Sequence, residues 1–257
     1  MTTTVRLGVE VPRIGLGTNR LTHTPANVAF VREAVAAGVR HIDTAHLYTG
    51  GASERTIGEA LSGSTDDVVV ATKGGYGGRG QGRPEVLRAQ IEQSLQSLRT
   101  DSIALYYLHR VDPETPIEDS LGAIGEYVDR GAIRLVGISE VGIPEIERAR
   151  QVVPIAAVQN RYSVADRAHD DVVDFCAGEG IVFVPYYPLR GEGGPALADI
   201  AARHGATPDQ VKLAWLLRRS PVTAPIPGTL SLEHLRENLA ALTLADELSD
   251  DELAALV

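Results

Sequence analysis

The feature that most constrains the fold is a regular alternation of short apolar runs with longer amphipathic segments. Each run is rich in β-branched residues and has the length of a buried strand, whereas each following segment has the length and apolar spacing of a helix. One such pair recurs roughly every 30 residues along the 257-residue chain. The predicted strands are Ile14–Thr18, His41–Asp43, Val68–Thr72, Ile103–Tyr107, Ile133–Ile138, Ala156–Gln159, Ile181–Pro185 and Val222–Ile226.

Eight strands that each alternate with a helix close most simply into a ring of parallel strands. We therefore expect an α/β fold, a (β/α)8 TIM barrel, with an open doubly wound sheet as the alternative. The segment Val5–Val11 precedes the first strand and predicts a short N-terminal β-hairpin. The length suits one barrel and no low-complexity linker divides the chain, so residues 1–257 are expected to form a single domain.

Helix boundaries carry signals of their own. Ser and Thr residues before three helical segments predict N-caps, and glycines at the ends of three others predict left-handed C-terminal caps. The predicted N-caps are Ser53, Thr207 and Ser231, and the predicted terminating glycines are Gly38, Gly131 and Gly180.

Polar or ionisable residues directly follow most of the predicted strands. In a barrel the C-terminal ends of the strands meet at one rim, where functional residues collect. A core without a site has no need of an acid, a base and an imidazole at one rim. The residues at or just after the strand ends are Thr18, Asp43, Lys73, His109, Ser139, Gln159, Tyr186 and, at the eighth end, Gly228 and Thr229.

Three of these residues, together with Tyr48, suit a tuned general acid. Asp43, Lys73 and His109 end consecutive strands, and Tyr48 lies five residues past Asp43. A free phenol has a pKa of about 10; a nearby ammonium lowers it, while a carboxylate positions that ammonium. His109 can orient a carbonyl oxygen. Lys73 is one of two lysines among 24 basic residues, which indicates that an amine itself is needed there.

Six motifs resemble, in order, those of the aldo-keto reductase family, and the resemblance covers essentially the whole chain. The motifs are His41–Tyr48 followed by Ser53 and Glu54, Ala71–Lys73, Leu108–Arg110, Val136–Ser139, Val158–Tyr162 and Ile226–Thr229. The late segments Phe183–Leu189 and Ile226–Asn238 are most similar to the bacterial pyridoxal reductase branch.

The resemblance implies an enzyme that reduces aldehydes or ketones by hydride transfer from NADPH, with Tyr48 as proton donor. It implies that Ser139 and Gln159 hold the nicotinamide carboxamide and that Tyr186 stacks on the ring. NADPH is expected to be preferred over NADH, with Arg236 helping to hold the 2′-phosphate. The other expected cofactor-binding residues are Thr18, Leu189, Gly228, Thr229, His234, Glu237 and Asn238.

Three departures from the family pattern bear on the site. Glu140 stands where the family usually has Asn after the strand-five Ser, and Thr49 follows Tyr48 where Gly is usual. The segment 188–194 after the seventh strand is short. Since that loop usually shapes the substrate pocket, we expect an open pocket for a small-molecule carbonyl compound.

Composition limits the partners and the compartment. A net charge of −10 disfavours nucleic acid and anionic lipid surfaces. The single cysteine, Cys176, forms no intrachain disulfide, and the first residues lack an apolar leader, so a cytoplasmic protein is expected. No metal site is expected, because His41 and His46 have no accompanying Cys or carboxylate cluster. The oligomeric state is left open.

Two other functions remain as alternatives. A lysine at the end of a barrel strand also serves as a Schiff-base nucleophile, so Lys73 is compatible with a lyase. The potassium-channel β subunits share this fold and site, so a cofactor-binding regulatory subunit is a further alternative.

Overall fold

The computed structural model describes residues 2–63 and 67–257. Its strands are β1 (Thr4–Leu7), β2 (Val9–Pro12), β3 (Leu16–Gly17), β4 (His41–Asp43), β5 (Val69–Gly74), β6 (Ile103–Leu108), β7 (Ile133–Ser139), β8 (Ile155–Gln159) and β9 (Val182–Phe183). The first two form the predicted antiparallel hairpin. β3 to β9 form a parallel sheet in which each strand pairs with the next along the chain.

The segment 222–228 joins the two edges of this sheet and makes the arrangement TIM-barrel-like. On one side the N–H groups of Ala224 and Ile226 donate to the carbonyls of Phe183 (2.8 Å) and Pro185 (3.2 Å). On the other side Pro225 and Pro227 accept from Gly15 (3.0 Å) and Gly17 (3.1 Å) of the first strand's segment.

The prediction of a regular eighth strand at Val222–Ile226 is wrong. The two residues whose carbonyls face β3 are Pro225 and Pro227, and proline has no N–H to return the ladder bond. The segment therefore makes only isolated bridges, Gly17 to Gly228 and Phe183 to Thr223. The first and seventh predicted strands, Ile14–Thr18 and Ile181–Pro185, are present but shorter than expected.

Helices fill the connections between strands. They are α1 (Pro25–Ala36), α2 (Ala52–Leu61), α3 (Pro84–Leu98), α4 (Ile117–Asp129), α5 (Ile143–Arg150), α6 (Asp170–Glu179), α7 (Leu197–Arg203), α8 (Pro208–Arg219), α9 (Leu232–Glu247) and α10 (Asp250–Ala254), with a 3-10 turn at Tyr48–Gly51. Among residues 2–63 and 67–257, none of these helices is long and apolar enough to cross a bilayer.

Two of the three predicted N-caps are confirmed. The side chains of Thr207 and Ser231 accept hydrogen bonds from the backbone N–H groups of Gln210 and His234, respectively. Ser53 is not a cap: α2 begins one residue earlier, at Ala52, and Gly51 precedes it. The predicted terminating glycines, Gly38, Gly131 and Gly180, all have positive φ.

The buried apolar side chains form two clusters. The larger cluster lies between the sheet and the helices and includes Tyr106 and Leu108 of β6. The smaller contains the alternate β6 residues Leu105 and Tyr107 with inward residues of the other strands, and the hairpin residue Val11 joins it. Because successive side chains of a strand point to opposite faces, β6, β8 and β9 each contribute to both clusters.

Candidate active site

The C-terminal strand ends bring Asp43 and Lys73 to the same face of the sheet. Asp43 is opposite Ala71 in the parallel register between β4 and β5. Lys73 lies two residues beyond Ala71, and side chains two apart on a strand share a face. The neighbouring ends follow the same pattern, since Gly17 is opposite Asp43 and Ser139 is opposite Gln159.

A buried ion pair forms the floor of the site. The Lys73 ammonium is 2.5 Å from Oδ1 of Asp43 and donates to the Thr44 carbonyl at 2.7 Å. Gln159 donates from Nε2 to the other Asp43 oxygen at 2.8 Å. Burial disfavours the charged amine, but the charges and hydrogen bonds of Asp43 and Tyr48 together outweigh that effect, so the pKa of Lys73 lies above its ordinary value. Lys73 is therefore an ammonium at neutral pH.

Tyr48 reaches this pair from the turn that follows β4. Its hydroxyl is 3.5 Å from Nζ of Lys73. Thr49, the residue that departs from the usual Gly, adopts φ +49, and its hydroxyl donates to the Leu21 carbonyl at 2.7 Å. That hydrogen bond holds the left-handed backbone conformation that positions the phenol.

The expected lowering of the Tyr48 pKa is wrong in direction. Burial disfavours the phenolate and raises the pKa of Tyr48 above its ordinary value, and the nearby ammonium of Lys73 offsets only part of that rise. Tyr48 consequently carries its proton throughout the neutral range.

His109 is a buried, neutral imidazole beside Tyr48. The two rings meet edge to face with centroids 6.1 Å apart. Burial, with smaller contributions from the charges of Lys73 and Arg110, lowers the pKa of His109 to about 2. Its Nδ1 has no hydrogen-bond partner among the described residues.

Two residues in the first turn of α2 form hydrogen bonds with residues at the strand ends beneath the site. Ser53, the rejected cap, hydrogen-bonds the hydroxyls of Thr18 (2.8 Å) and Thr44 (2.7 Å). Glu54 accepts from the Thr72 hydroxyl at 2.6 Å, and burial raises the pKa of its carboxyl. Both residues belong to the motif after Tyr48, which was the sequence signal for them.

A cleft of about 940 Å³ opens above the ion pair. Asp43, Tyr48 and His109 line it; Lys73 does not, but its ammonium is 3.5 Å from the Tyr48 hydroxyl. Six of the predicted cofactor-binding residues also line it: Thr18, Ser139, Gln159, Tyr186, Leu189 and Gly228.

A second cleft of about 670 Å³ adjoins the first. The two share Arg20, Leu189 and Gly228. The second is lined by the remaining predicted cofactor-binding residues, Thr229, His234, Glu237 and Asn238.

Arg236 does not lie with this group. It lines a separate depression with Glu33 and Leu232, because its position on α9 turns it away from His234. The cation that borders both clefts is Arg20, which donates to the Gly228 carbonyl at 3.3 Å.

Arg110 is a cleft residue that the sequence reasoning did not assign. It donates from Nη1 to the Ser139 hydroxyl at 3.0 Å and from Nη2 to the Tyr186 hydroxyl at 3.3 Å. Its guanidinium also lies over the Tyr76 ring, 5.3 Å from the centroid. Arg110 directly follows His109 in a recognised motif, but only tertiary contacts place it between Ser139 and Tyr186.

Glu140, which stands where Asn is usual, does not supply a polar group to the cleft. It has φ +57, and its Oε1 accepts from the backbone N–H of Arg161 at 2.7 Å. Asn160 supplies an amide beside it, which bonds the backbone of Val141 in both directions. Among residues 2–63 and 67–257, no group of three or more His, Cys, Asp or Glu side chains is arranged to hold a metal ion.

Comparisons with known proteins agree on one family. The sequence matches the family model described as aldo/keto reductase over residues 13–194 and 191–257. Pyridoxine 4-dehydrogenase of Escherichia coli is 38% identical over 245 residues, which cover 89% of this chain and 85% of that protein.

Two solved structures resemble the fold over nearly its whole length. A thermostable aldo-keto reductase crystallised with the inhibitor epalrestat is 34% identical with a TM-score of 0.90, covering 99% of this chain and 97% of that one. An aldo-keto reductase from Klebsiella pneumoniae, in complex with NADPH, is 28% identical with a TM-score of 0.88, covering 100% and 94%.

Proposed function

The chain belongs to the aldo-keto reductase family, and we propose that it reduces aldehydes or ketones to alcohols with NADPH, using Tyr48 as the proton donor. The observation that carries the proposal is the Tyr48 hydroxyl, 3.5 Å from the Lys73 ammonium at the floor of an open cleft. The NADPH complex of the Klebsiella relative supports the choice of cofactor. In this proposal the site lies at the C-terminal rim of a (β/α)8 barrel.

The residues of the two clefts fit a dinucleotide. A hydroxyl, an amide and an aromatic ring, from Ser139, Gln159 and Tyr186, border the end near Lys73. The second cleft lies at the N-terminus of α9, where a helix favours negative charge. Arg20 adds a positive charge where the clefts meet. We assign the first cleft to the nicotinamide end and the second to the adenosine end.

The chain's own residues manage the proton and the carbonyl oxygen. When bound, NADPH supplies the hydride that forms the new C–H bond at the carbonyl carbon. Tyr48 donates its proton to the carbonyl oxygen, and solvent then returns a proton to the phenolate. The Lys73 ammonium, fixed by Asp43, stabilises that phenolate while it exists. The overall change is carbonyl, NADPH and one proton to alcohol and NADP⁺.

His109 orients the substrate in this scheme. With its pKa lowered to about 2 by burial, the ring is neutral and has one N–H to donate. A hydrogen bond from that N–H to the carbonyl oxygen would hold the oxygen beside Tyr48 and polarise the bond. The raised pKa of Lys73 argues against a Schiff-base lyase, which requires a neutral amine.

The test is the removal of one hydroxyl. Tyr48→Phe should bind NADPH like the parent, measured by fluorescence, but lose about two to four powers of ten in turnover of a reducible aldehyde. The panel should include pyridoxal and aromatic aldehydes. Tyr127→Phe, which removes a hydroxyl that donates to Glu92 at 2.8 Å from α4, is the matched control. Turnover by Tyr48→Phe within a few-fold of the parent would show that another group donates the proton.

A further inference from the structure

Arg110 brings a positive charge into the first cleft without a carboxylate of the described chain in direct contact with it. No Asp or Glu side chain of residues 2–63 and 67–257 forms an ion pair with it. Its hydrogen-bond acceptors are neutral: the His109 carbonyl (2.6 Å), the Ser139 hydroxyl (3.0 Å) and the Tyr186 hydroxyl (3.3 Å). Burial raises the pKa of Tyr186 to about 12, so that hydroxyl stays uncharged at neutral pH.

The cleft as a whole is cationic, although the chain has a net charge of −10. The cations that line it are Arg20, Arg110 and Arg190. Its one lining carboxylate, Asp43, is paired with Lys73. Glu140 is not among the residues that line the cleft, but its charge and a hydrogen bond to Tyr186 both help to raise the pKa of Tyr186, and its Oε1 also accepts from the Arg161 N–H.

Arg110 also retains free hydrogen-bonding capacity. A guanidinium has five N–H groups, and three of them donate to the acceptors named above. The other two, including the N–H on Nε, have no acceptor among the described residues. Two donors in a planar fork match the two oxygens of a carboxylate or phosphate.

The position of Arg110 suits a group on the substrate itself. Side chains in successive contact connect it to the proton donor: Tyr48 meets His109 with centroids 6.1 Å apart, and His109 meets Tyr76 at 4.7 Å. Arg110 lies 5.3 Å from the centroid of the Tyr76 ring. Arg110 borders only the first cleft, whereas Arg20 borders both.

We infer that Arg110 is a specificity-determining residue, which binds an anionic group carried by the carbonyl substrate. This inference rests on the proposed reductase function. The preferred substrates are then short aldehydes or ketones that bear a carboxylate or a phosphate, with the carbonyl at Tyr48 and the anion at Arg110. Tyr76 and Tyr186 flank the path between them with aromatic surface.

The experiment compares aldehydes that differ only in charge. The parent should reduce 4-formylbenzoate with a kcat/KM at least about tenfold above that of its neutral methyl ester, because one charge-assisted hydrogen bond contributes about that much. 4-Formylphenyl phosphate distinguishes a carboxylate from a phosphate. A ratio near one for both anions in the parent would overturn the inference.

Variants then assign the preference to Arg110. Arg110→Gln should bring the anion-to-ester ratio close to one, mainly through a higher KM for the anion, and Arg110→Lys should keep an intermediate ratio. Arg148→Gln removes an exposed charge on α5 that pairs with Glu118, and it should keep the parental ratio. An undiminished ratio in Arg110→Gln would contradict the assignment.

A failure of the anion-site inference can be distinguished from a failure of the proposed reductase function. If none of the tested aldehydes causes the parent to oxidise NADPH, the reductase proposal fails. Calorimetric titration with terephthalate then tests the anion site at Arg110 alone. Tighter binding by the parent than by Arg110→Gln would support the anion site, and equal affinities would overturn it.

Discussion

At Tyr48 two effects oppose each other on a single hydroxyl. Burial favours the neutral phenol, whereas the ammonium of Lys73 favours the phenolate, and burial dominates. The proposed role as proton donor requires a group that holds its proton before the hydride arrives and then carries a negative charge briefly. The arrangement meets both needs, because the phenol is neutral at rest and a cation is already in place 3.5 Å away.

The shape of the Lys73 cation matters as much as its charge. Its side chain is fully buried, and Nζ fits between Asp43 Oδ1 at 2.5 Å and the Thr44 carbonyl at 2.7 Å. A planar guanidinium cannot occupy that space. Lys73→Arg should therefore lose at least about a hundredfold in aldehyde turnover while retaining NADPH binding.

Lys212→Arg provides the matched control, since Lys212 is the other lysine of the chain. Its ammonium donates to the Leu189 carbonyl at 3.2 Å and pairs with Asp209 at 3.4 Å, and a guanidinium can also donate to both acceptors. Turnover should remain near that of the parent. An active Lys73→Arg enzyme would show that a cation of any shape suffices beside Tyr48.

At the scale of the elements, the sheet closes through its least regular strands. β3 and β9 contain two residues each, and the segment between them has prolines at 225 and 227. The carbonyls of these prolines still accept from Gly15 and Gly17. The sheet closes here with fewer hydrogen bonds than a regular parallel pair of strands makes. Gly17 and Gly228, at this irregular junction, line the cleft.

Two glycines within helices lead to opposite predictions for the same substitution. A Cβ at Gly58 of α2 would lie 2.3 Å from the Ser97 carbonyl oxygen and 2.7 Å from the Leu98 carbonyl carbon, which are backbone atoms of α3. A Cβ at Gly122 of α4 would have nothing within 4 Å. The first glycine permits helix contact, and the second only weakens its helix.

Gly58→Ala should lower the free energy of unfolding by about 1–3 kcal/mol, because α2 and α3 must separate. Gly122→Ala should raise it by about 0.5–1 kcal/mol, through the better helix propensity of alanine. Urea denaturation of both variants beside the parent measures the two changes. Destabilisation of similar size in both would show that helix contact is not the cause at Gly58.

At the scale of the whole molecule, buried histidines link stability to pH. His41 is fully buried at the start of β4, and neither ring nitrogen has a partner among the described residues. Burial lowers its pKa from 6.5 to about 4. The unfolded chain therefore binds a proton at a higher pH than the folded protein, so this group's contribution is complete above pH 6.5 and is lost as the pH falls towards 4.

His41→Leu removes that titration while roughly preserving volume. Between pH 6 and pH 4.5 the free energy of unfolding of the parent should fall more steeply than that of the variant, by about 1.4 kcal/mol per pH unit. Only the slopes are compared, so a change in absolute stability does not affect the test. His109 and Glu54 titrate in both proteins, so their contributions cancel in the difference between the two slopes. Equal slopes in the parent and the variant would show that the pKa of His41 is not lowered in the folded state.

The sequence alone determined the order of strands and helices and the rim at which polar side chains gather. Apolar periodicity distinguishes strands from helices locally, and the residue after each apolar run is visible without coordinates. His41–Asp43 was predicted with its observed bounds. The pairing of Asp43 with Lys73 also follows from sequence, because consecutive parallel strands place their ends side by side. The roles of the fourteen predicted site residues in catalysis and cofactor binding remain predictions.

Tertiary structure alone decided the features that depend on distant contacts and on burial. The pKa direction of Tyr48 depends on how completely the phenol is desolvated, which local sequence does not specify. Arg110 meets Ser139 and Tyr186 across 29 and 76 residues of chain, and Ser53 meets Thr18 across 35. Local periodicity reports which face of an element is buried. It carries no information on which distant side chain lies against that face, and at this site those neighbours decide the charge and the hydrogen bonding.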